Sequence, residues 1–232
     1  HGEQSVAKGF STGDSRSGIF NMRRVIFQLL LVLLPGNGFL AKATEDWPMF
    51  RGNPALQGVS DTALPPKPAL LWKFKTAAPV KSSAIIADGK VFFGSNDTNI
   101  YALDFRTGKK LWSYETTGGV EAPGLFVDGK LFIGSTDGFL YALEANSGKL
   151  LWKYQTEAKI LGAPNLVVGT RSTASQTNSL KIIIGSYDFR LHCVDAATGQ
   201  SNWVYETGNY INGTPAIADG KTPQGYCDEL AA

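Results

Sequence analysis

A stretch of about forty residues recurs along this chain, and that period limits the possible folds more than any other feature. Residues 109–148 read KKLWSYETTGGVEAPGLFVDGKLFIGSTDGFLYALEANSG. One period earlier, Trp112 falls on Trp72, Gly134 on Gly94, and Tyr141-Ala142-Leu143 on Tyr101-Ala102-Leu103. One period later comes Trp152, and Trp203 follows after an excess that residues 170–180 supply. That excess is rich in Ser, Thr, Asn and Gln, the composition of an inserted surface loop.

Each repeat divides into four short strands. In the first, residues 82–87 form strand one, and Asp88-Gly89 is a two-residue hairpin turn that needs positive φ. Residues 90–95 form strand two, where Val91-Phe92-Phe93 is an unbroken apolar run, so both of its faces should be covered. Residues 96–99 turn the chain, residues 100–104 form strand three, Thr107-Gly108 turns it again, and residues 109–116 form strand four. The second repeat follows the same course to Trp152, and the third to Trp203. A fourth opens at Gly213-Thr214-Pro215, then places Thr222-Pro223-Gln224 where the others have three apolar residues. A proline there argues against a central strand.

A four-stranded antiparallel sheet with two apolar faces cannot bury both alone. Such sheets bury them by packing face to face around an axis, as the blades of a β-propeller. The expected fold is therefore all-β, an incomplete β-propeller of about three and a half blades: residues 82–117, 122–157, 162–208 and a truncated 213–232. Trp72, Trp112, Trp152 and Trp203 are expected to wedge between blades. Gly108, Gly148 and Gly199 suit a left-handed turn position, and Ala102, Ala142 and Cys193 form a small slot that allows close approach of sheets. Residues 70–76, with Leu70, Trp72 and Phe74 on one side, read as a half-buried strand. Residues 44–69, with Pro65, Pro66 and Pro68, read as an irregular lead-in lying on the surface of the first repeats.

The chain has 232 residues and a net charge of +2, which makes no electrostatic case for a nucleic-acid or acidic-membrane partner. Residues 1–21 are polar and rich in Gly and Ser, and read as a disordered leader or upstream extension. Residues 22–43 have the layout of a secretory signal peptide: Arg23-Arg24, an apolar run from Val25 to Leu34, then Ala41-Lys42-Ala43 as a cleavage site. The run is too short to span a bilayer. The expected location is periplasmic or secreted, after cleavage near Ala43.

The stretches Tyr101-Ala102-Leu103-Asp104-Phe105-Arg106-Thr107-Gly108-Lys109-Lys110-Leu111-Trp112 and Val194-Asp195-Ala196-Ala197-Thr198-Gly199-Gln200-Ser201-Asn202-Trp203 resemble the AxDxxTGxxxW repeat of the quinoprotein-like (PQQ-type) β-propeller family. Asp46-Trp47-Pro48-Met49-Phe50-Arg51-Gly52 resembles the start of its exported bacterial members. The resemblance covers residues 46–228 and implies a ring of seven or eight blades, with a terminal strand such as 70–76 completing the last one. The family holds PQQ-dependent dehydrogenases, the outer-membrane assembly lipoprotein BamB, and binding propellers without known activity. In the dehydrogenases the resemblance implies an axial quinone, a Ca²⁺ held by carboxylate and amide oxygens, an Asp base, and often a disulfide between adjacent cysteines. This chain has no adjacent cysteines, and no lipobox cysteine follows the cleavage site.

Asp97, Asp137, Asp188 and Asp228 recur at one turn of each repeat. They read either as a carboxylate ring for a cation or basic peptide, or as Asx turns satisfying local backbone N–H groups. His192 and Cys193 replace Tyr and Ala of the other repeats, and Cys227 and Asp228 stand in the next. These four could ligate zinc or copper, or the cysteines could pair in an oxidising compartment. The plain alternative makes Cys193 a small apolar filler and His192 a rim residue. Asn96-Asp97-Thr98 and Asn212-Gly213-Thr214 match the glycosylation sequon, a pattern that such turns generate by chance.

The expected function is a non-catalytic binding or scaffold propeller of the cell envelope or secreted space. It would recognise a protein or small molecule at one rim, with no resident cofactor and no membrane span. The alternatives are a fragment of a PQQ- and Ca²⁺-dependent dehydrogenase and a BamB-like outer-membrane assembly factor.

Overall fold

The strands form where the apolar runs and the Asp-Gly and Thr-Gly turns require them. A computed structural model describes residues 46–60, 62–63, 65–168 and 180–218. The first blade is β1 (Ile85–Ala87), β2 (Lys90–Gly94), β3 (Asn99–Asp104) and β4 (Lys110–Glu115). The second is β5 (Leu125–Val127), β6 (Lys130–Gly134), β7 (Phe139–Glu144) and β8 (Leu150–Gln155). The third is β9 (Asn165–Val168), β10 (Leu180–Gly185), β11 (Arg190–Asp195) and β12 (Ser201–Glu206). Each is an antiparallel meander in sequence order. The signal-peptide stretch, most of the 170–180 insertion, Cys227 and Asp228 lie outside the described residues.

Both faces of each sheet are covered. Phe92, Ile100, Ala102 and Trp112 pack with Leu131, Ile133, Tyr141 and Leu143 between blades one and two. Phe132, Leu140 and Ala142 pack with Ile182, Ile184 and Ala196 between blades two and three. Within the run Val91-Phe92-Phe93 the side chains alternate: Phe92 faces blade two, while Val91 and Phe93 face Trp72 and Phe74. A bulge recurs at the same place in every blade, between Ala102/Leu103, Ala142/Leu143 and Cys193/Val194. It sets the small residue directly across from the indole, Ala102 opposite Trp112, Ala142 opposite Trp152 and Cys193 opposite Trp203.

One expectation needs correction. Residues 70–76 keep their alternation but form no strand, because no described strand pairs with them. Trp72 and Phe74 are half-buried, whereas Leu70 and Leu71 are 72% and 76% exposed. The lead-in is irregular and largely exposed, as expected, but its first part does more than lie on the surface. It straps the inner edges of the blades. Trp47 exchanges two backbone hydrogen bonds with Ile86 on β1, Pro48 O accepts from Phe126 N on β5, and Pro54 O accepts from Ile217 N. Met49 is 1% exposed, within the core between blades two and three.

The third inner strand is capped differently. Asn165 Oδ1 accepts from the Leu166 amide at 2.7 Å, and Asn165 Nδ2 donates to the Pro54 and Pro215 carbonyls. A buried side chain thus satisfies the edge group that the strap satisfies in blades one and two.

Candidate functional site

The turns between the second and third strands of the blades share one face with the links between blades. Thr136 N donates to Gly119 O, and Tyr187 N to Lys159 O. At each such turn a carboxylate fastens three things together. Asp137 Oδ1 accepts from Phe139 N, closing the turn. Its Oδ2 accepts from the Tyr141 hydroxyl at 2.7 Å, and from Thr117 N and Oγ1 at 3.1 and 3.0 Å across the link from blade one. Asp97 does the same with Asn99 N, Tyr101 Oη and Ala77 N. Asp188 accepts from Arg190 N and Glu157 N, and contacts His192 Nε2 at 3.0 Å.

Burial opposes ionisation of Asp97, Asp137 and Asp188, but these donors outweigh it and hold all three carboxyls below their usual range. Burial and the bond to Asp97 push Tyr101 up to about 12, and Tyr141 is raised by the same causes. The three carboxylates are Asx turns extended across the blade interface, and their oxygens are committed. Among the described residues no group of three His, Cys, Asp or Glu side chains could hold a metal.

His192 is not a rim residue. It is 3% exposed, and its Nδ1 lies 3.0 Å from the Tyr154 hydroxyl of blade two. It stands where blades one and two have Tyr101 and Tyr141, so the carboxylate–phenol pair becomes a carboxylate–imidazole–phenol chain. Burial pushes its pKa below 6.5, with Asp188 opposing. The sequence shows the signal for these pairs: an aspartate four residues before Tyr, Tyr or His at 97/101, 137/141 and 188/192. Cys193 is buried between β10 and β12, with no exposed sulfur.

The tryptophans close the blades on the opposite side of each sheet's turn system. Trp112 Nε1 donates to Ala145 O at 3.0 Å, and Trp72 Nε1 to Phe105 O at 2.9 Å. A Cβ at Gly148 would lie 2.7 Å from the Trp112 ring, one at Gly108 2.5 Å from Trp72, and one at Gly199 2.6 Å from Trp152. The buried Trp152 indole N–H finds no acceptor among the described residues.

Blade three also loads its rim with aromatic groups. Tyr187 and Tyr210 stack with centroids 4.6 Å apart and planes at 13°, and Lys159 Nζ sits 4.3 Å from the Tyr187 centroid. Phe189 is 48% exposed and Tyr210 50%. Phe189 has φ +69°, a region that costs a bulky side chain, at the position where blade two has Gly138.

The family model described as outer membrane protein assembly factor BamB matches residues 65–221. The crystal structure of BamB from Moraxella catarrhalis is 27% identical, with a TM-score of 0.53 over 64% of this chain and 44% of that one. The quinohemoprotein alcohol dehydrogenase ADHIIG from Pseudomonas putida HK5 is 25% identical, with a TM-score of 0.56 over 69% of this chain and 26% of that one. The quinohemoprotein alcohol dehydrogenase from Comamonas testosteroni, 24% identical with a TM-score of 0.56 over 70% and 27%, shares the fold. The chain spans less than half the length of each of these structures. No curated protein matches it.

Proposed function

The chain belongs to the outer membrane protein assembly factor BamB family of PQQ-type β-propeller repeats, and from that premise we propose that it is a non-catalytic binding module of the cell envelope. It is exported by the stretch ending near Ala43 and engages a protein partner through the blade-three rim. The observation that carries this reading is Phe189. An aromatic side chain held at positive φ and left half in water costs conformational energy, and packing inside the chain does not offset it. Beside it stand the Tyr187–Tyr210 stack and Lys159, and aromatic groups of this kind are enriched at protein interfaces.

The reading takes no quinone and no Ca²⁺, and the hydrogen bonding of the recurring turns supports it. Asp97, Asp137 and Asp188 are each engaged by donors from within the chain, which leaves them less free to ligate a cation. The proposal therefore includes neither cofactor. Quinone absorbance that co-purifies, or dye reduction with an alcohol or sugar after PQQ and Ca²⁺ are added, would overturn this part.

A second test uses a purified outer-membrane β-barrel precursor diluted from urea, with binding followed by fluorescence anisotropy. Phe189→Gly should preserve or raise stability, since it relieves the positive φ, yet Phe189→Gly with Tyr187→Ala and Tyr210→Ala should weaken binding by at least about tenfold. Unchanged affinity would remove the rim from the account, and no binding by the unaltered chain would remove the assembly partner.

A further inference from the structure

The Tyr154–His192–Asp188 chain has no counterpart in blades one and two, and the binding role proposed above does not use it. An ionised carboxylate only accepts hydrogen bonds, so the contact to Asp188 fixes the proton on His192 Nε2. Nδ1 is then a bare lone pair, and it receives the Tyr154 hydroxyl at 3.0 Å. A carboxylate that orients an imidazole, which in turn accepts from a hydroxyl, is the general-base arrangement of activated nucleophiles. The three residues line a cavity of about 360 Å³, with the Arg190–Glu157 ion pair at 2.7 Å and Val204 also on its wall.

We propose that Tyr154 is an activated phenol that accepts an acyl or sulfonyl group from a small electrophile in this cavity. His192 is the base and Asp188 a positioning residue. With a sulfonyl fluoride the Tyr154 Oη–S bond forms and the S–F bond breaks. The phenol proton passes to His192 Nδ1 and fluoride leaves. The groups facing the imidazole are Asp188 and Arg190 from its own hairpin, and Tyr154 and Glu157 from blade two. Burial keeps the imidazole neutral, and so able to take a proton, at neutral pH.

The molecule supplies its own control. Tyr114 holds the same place on β4 that Tyr154 holds on β8, but its ring faces Tyr141, 5.6 Å between centroids, rather than an imidazole. The experiment treats the full chain with 4-methylbenzenesulfonyl fluoride at pH 7.5 and follows each tyrosine by peptide mass spectrometry. Tyr154 should react at least about tenfold faster than Tyr114, within the range of general-base assistance. His192→Tyr should bring Tyr154 down to the Tyr114 rate, and Asp188→Asn should slow it and shift its pH profile. In the unaltered chain the rate should fall once the pH drops through the imidazole's lowered pKa and the ring is protonated. Equal rates at Tyr154 and Tyr114, a comparison that needs no variant, would overturn the proposal. So would a fast Tyr154 rate that persists in a folded His192→Tyr chain.

Discussion

At the scale of single residues, His192 shows how one exchange changes the physics of a repeated turn. Tyr101 and Tyr141 donate a hydroxyl to their aspartates, whereas His192 presents an imidazole whose pKa burial lowers. Its native pKa lies below 6.5, so the unfolded chain binds more protons over that interval. Stability should therefore be complete above 6.5 and decline as pH falls through the range beneath it. Asp97, Asp137 and Asp188 titrate below 3.8 and add their own loss only in stronger acid. Urea unfolding at pH 7.5 and pH 5 isolates the histidine. The unaltered chain should lose stability between the two, and His192→Tyr, which rebuilds the pair of blades one and two, should lose less. An equal loss in both would place the titrating group elsewhere.

At the scale of the element, the blade is a four-stranded sheet whose last turn receives the indole of the blade before it. Gly148 combines φ +73° with a Cβ position 2.7 Å from Trp112, while Gly129 has φ +70° and nothing within 4 Å. Gly129→Ala should cost about 1 kcal/mol from the left-handed backbone alone. Gly148→Ala should cost about 2–4 kcal/mol, because the indole must also move. Similar losses at the two glycines, measured by equilibrium unfolding, would mean that the ring contact adds nothing. These strands were legible because Asp88-Gly89, Thr107-Gly108 and the apolar run at 91–93 are local signals. The fate of residues 70–76 was not, since alternation reports a half-buried face but not whether a partner strand exists.

At the scale of the whole described fold, stacking between neighbours dominates. Sheets bury their facing sides against one another, and the outer faces of blades one and three pack on Trp72 and Phe74 and on Ile211 and Ile217, so stability is a sum of blade and interface contributions. The strap adds a second tie, joining the inner edges through Trp47, Pro48 and Pro54. It was invisible in the sequence because Trp47-Pro48-Met49-Phe50 lacks the repeat's pattern and pairs with strands far along the chain. The rim of blade three was only half legible. The inserted loop stands out by composition, while Phe189 and Tyr210 are ordinary residues until their backbone and exposure are known. The most direct measurement of the stacking account is the equilibrium unfolding of Trp112→Ala. Trp112 lies in the core between blades one and two and bonds to Ala145 across that interface. Stacking through this indole predicts a loss of about 3–5 kcal/mol. A loss below about 1 kcal/mol would contradict it, because an indole that holds two sheets together cannot be removed at so small a cost.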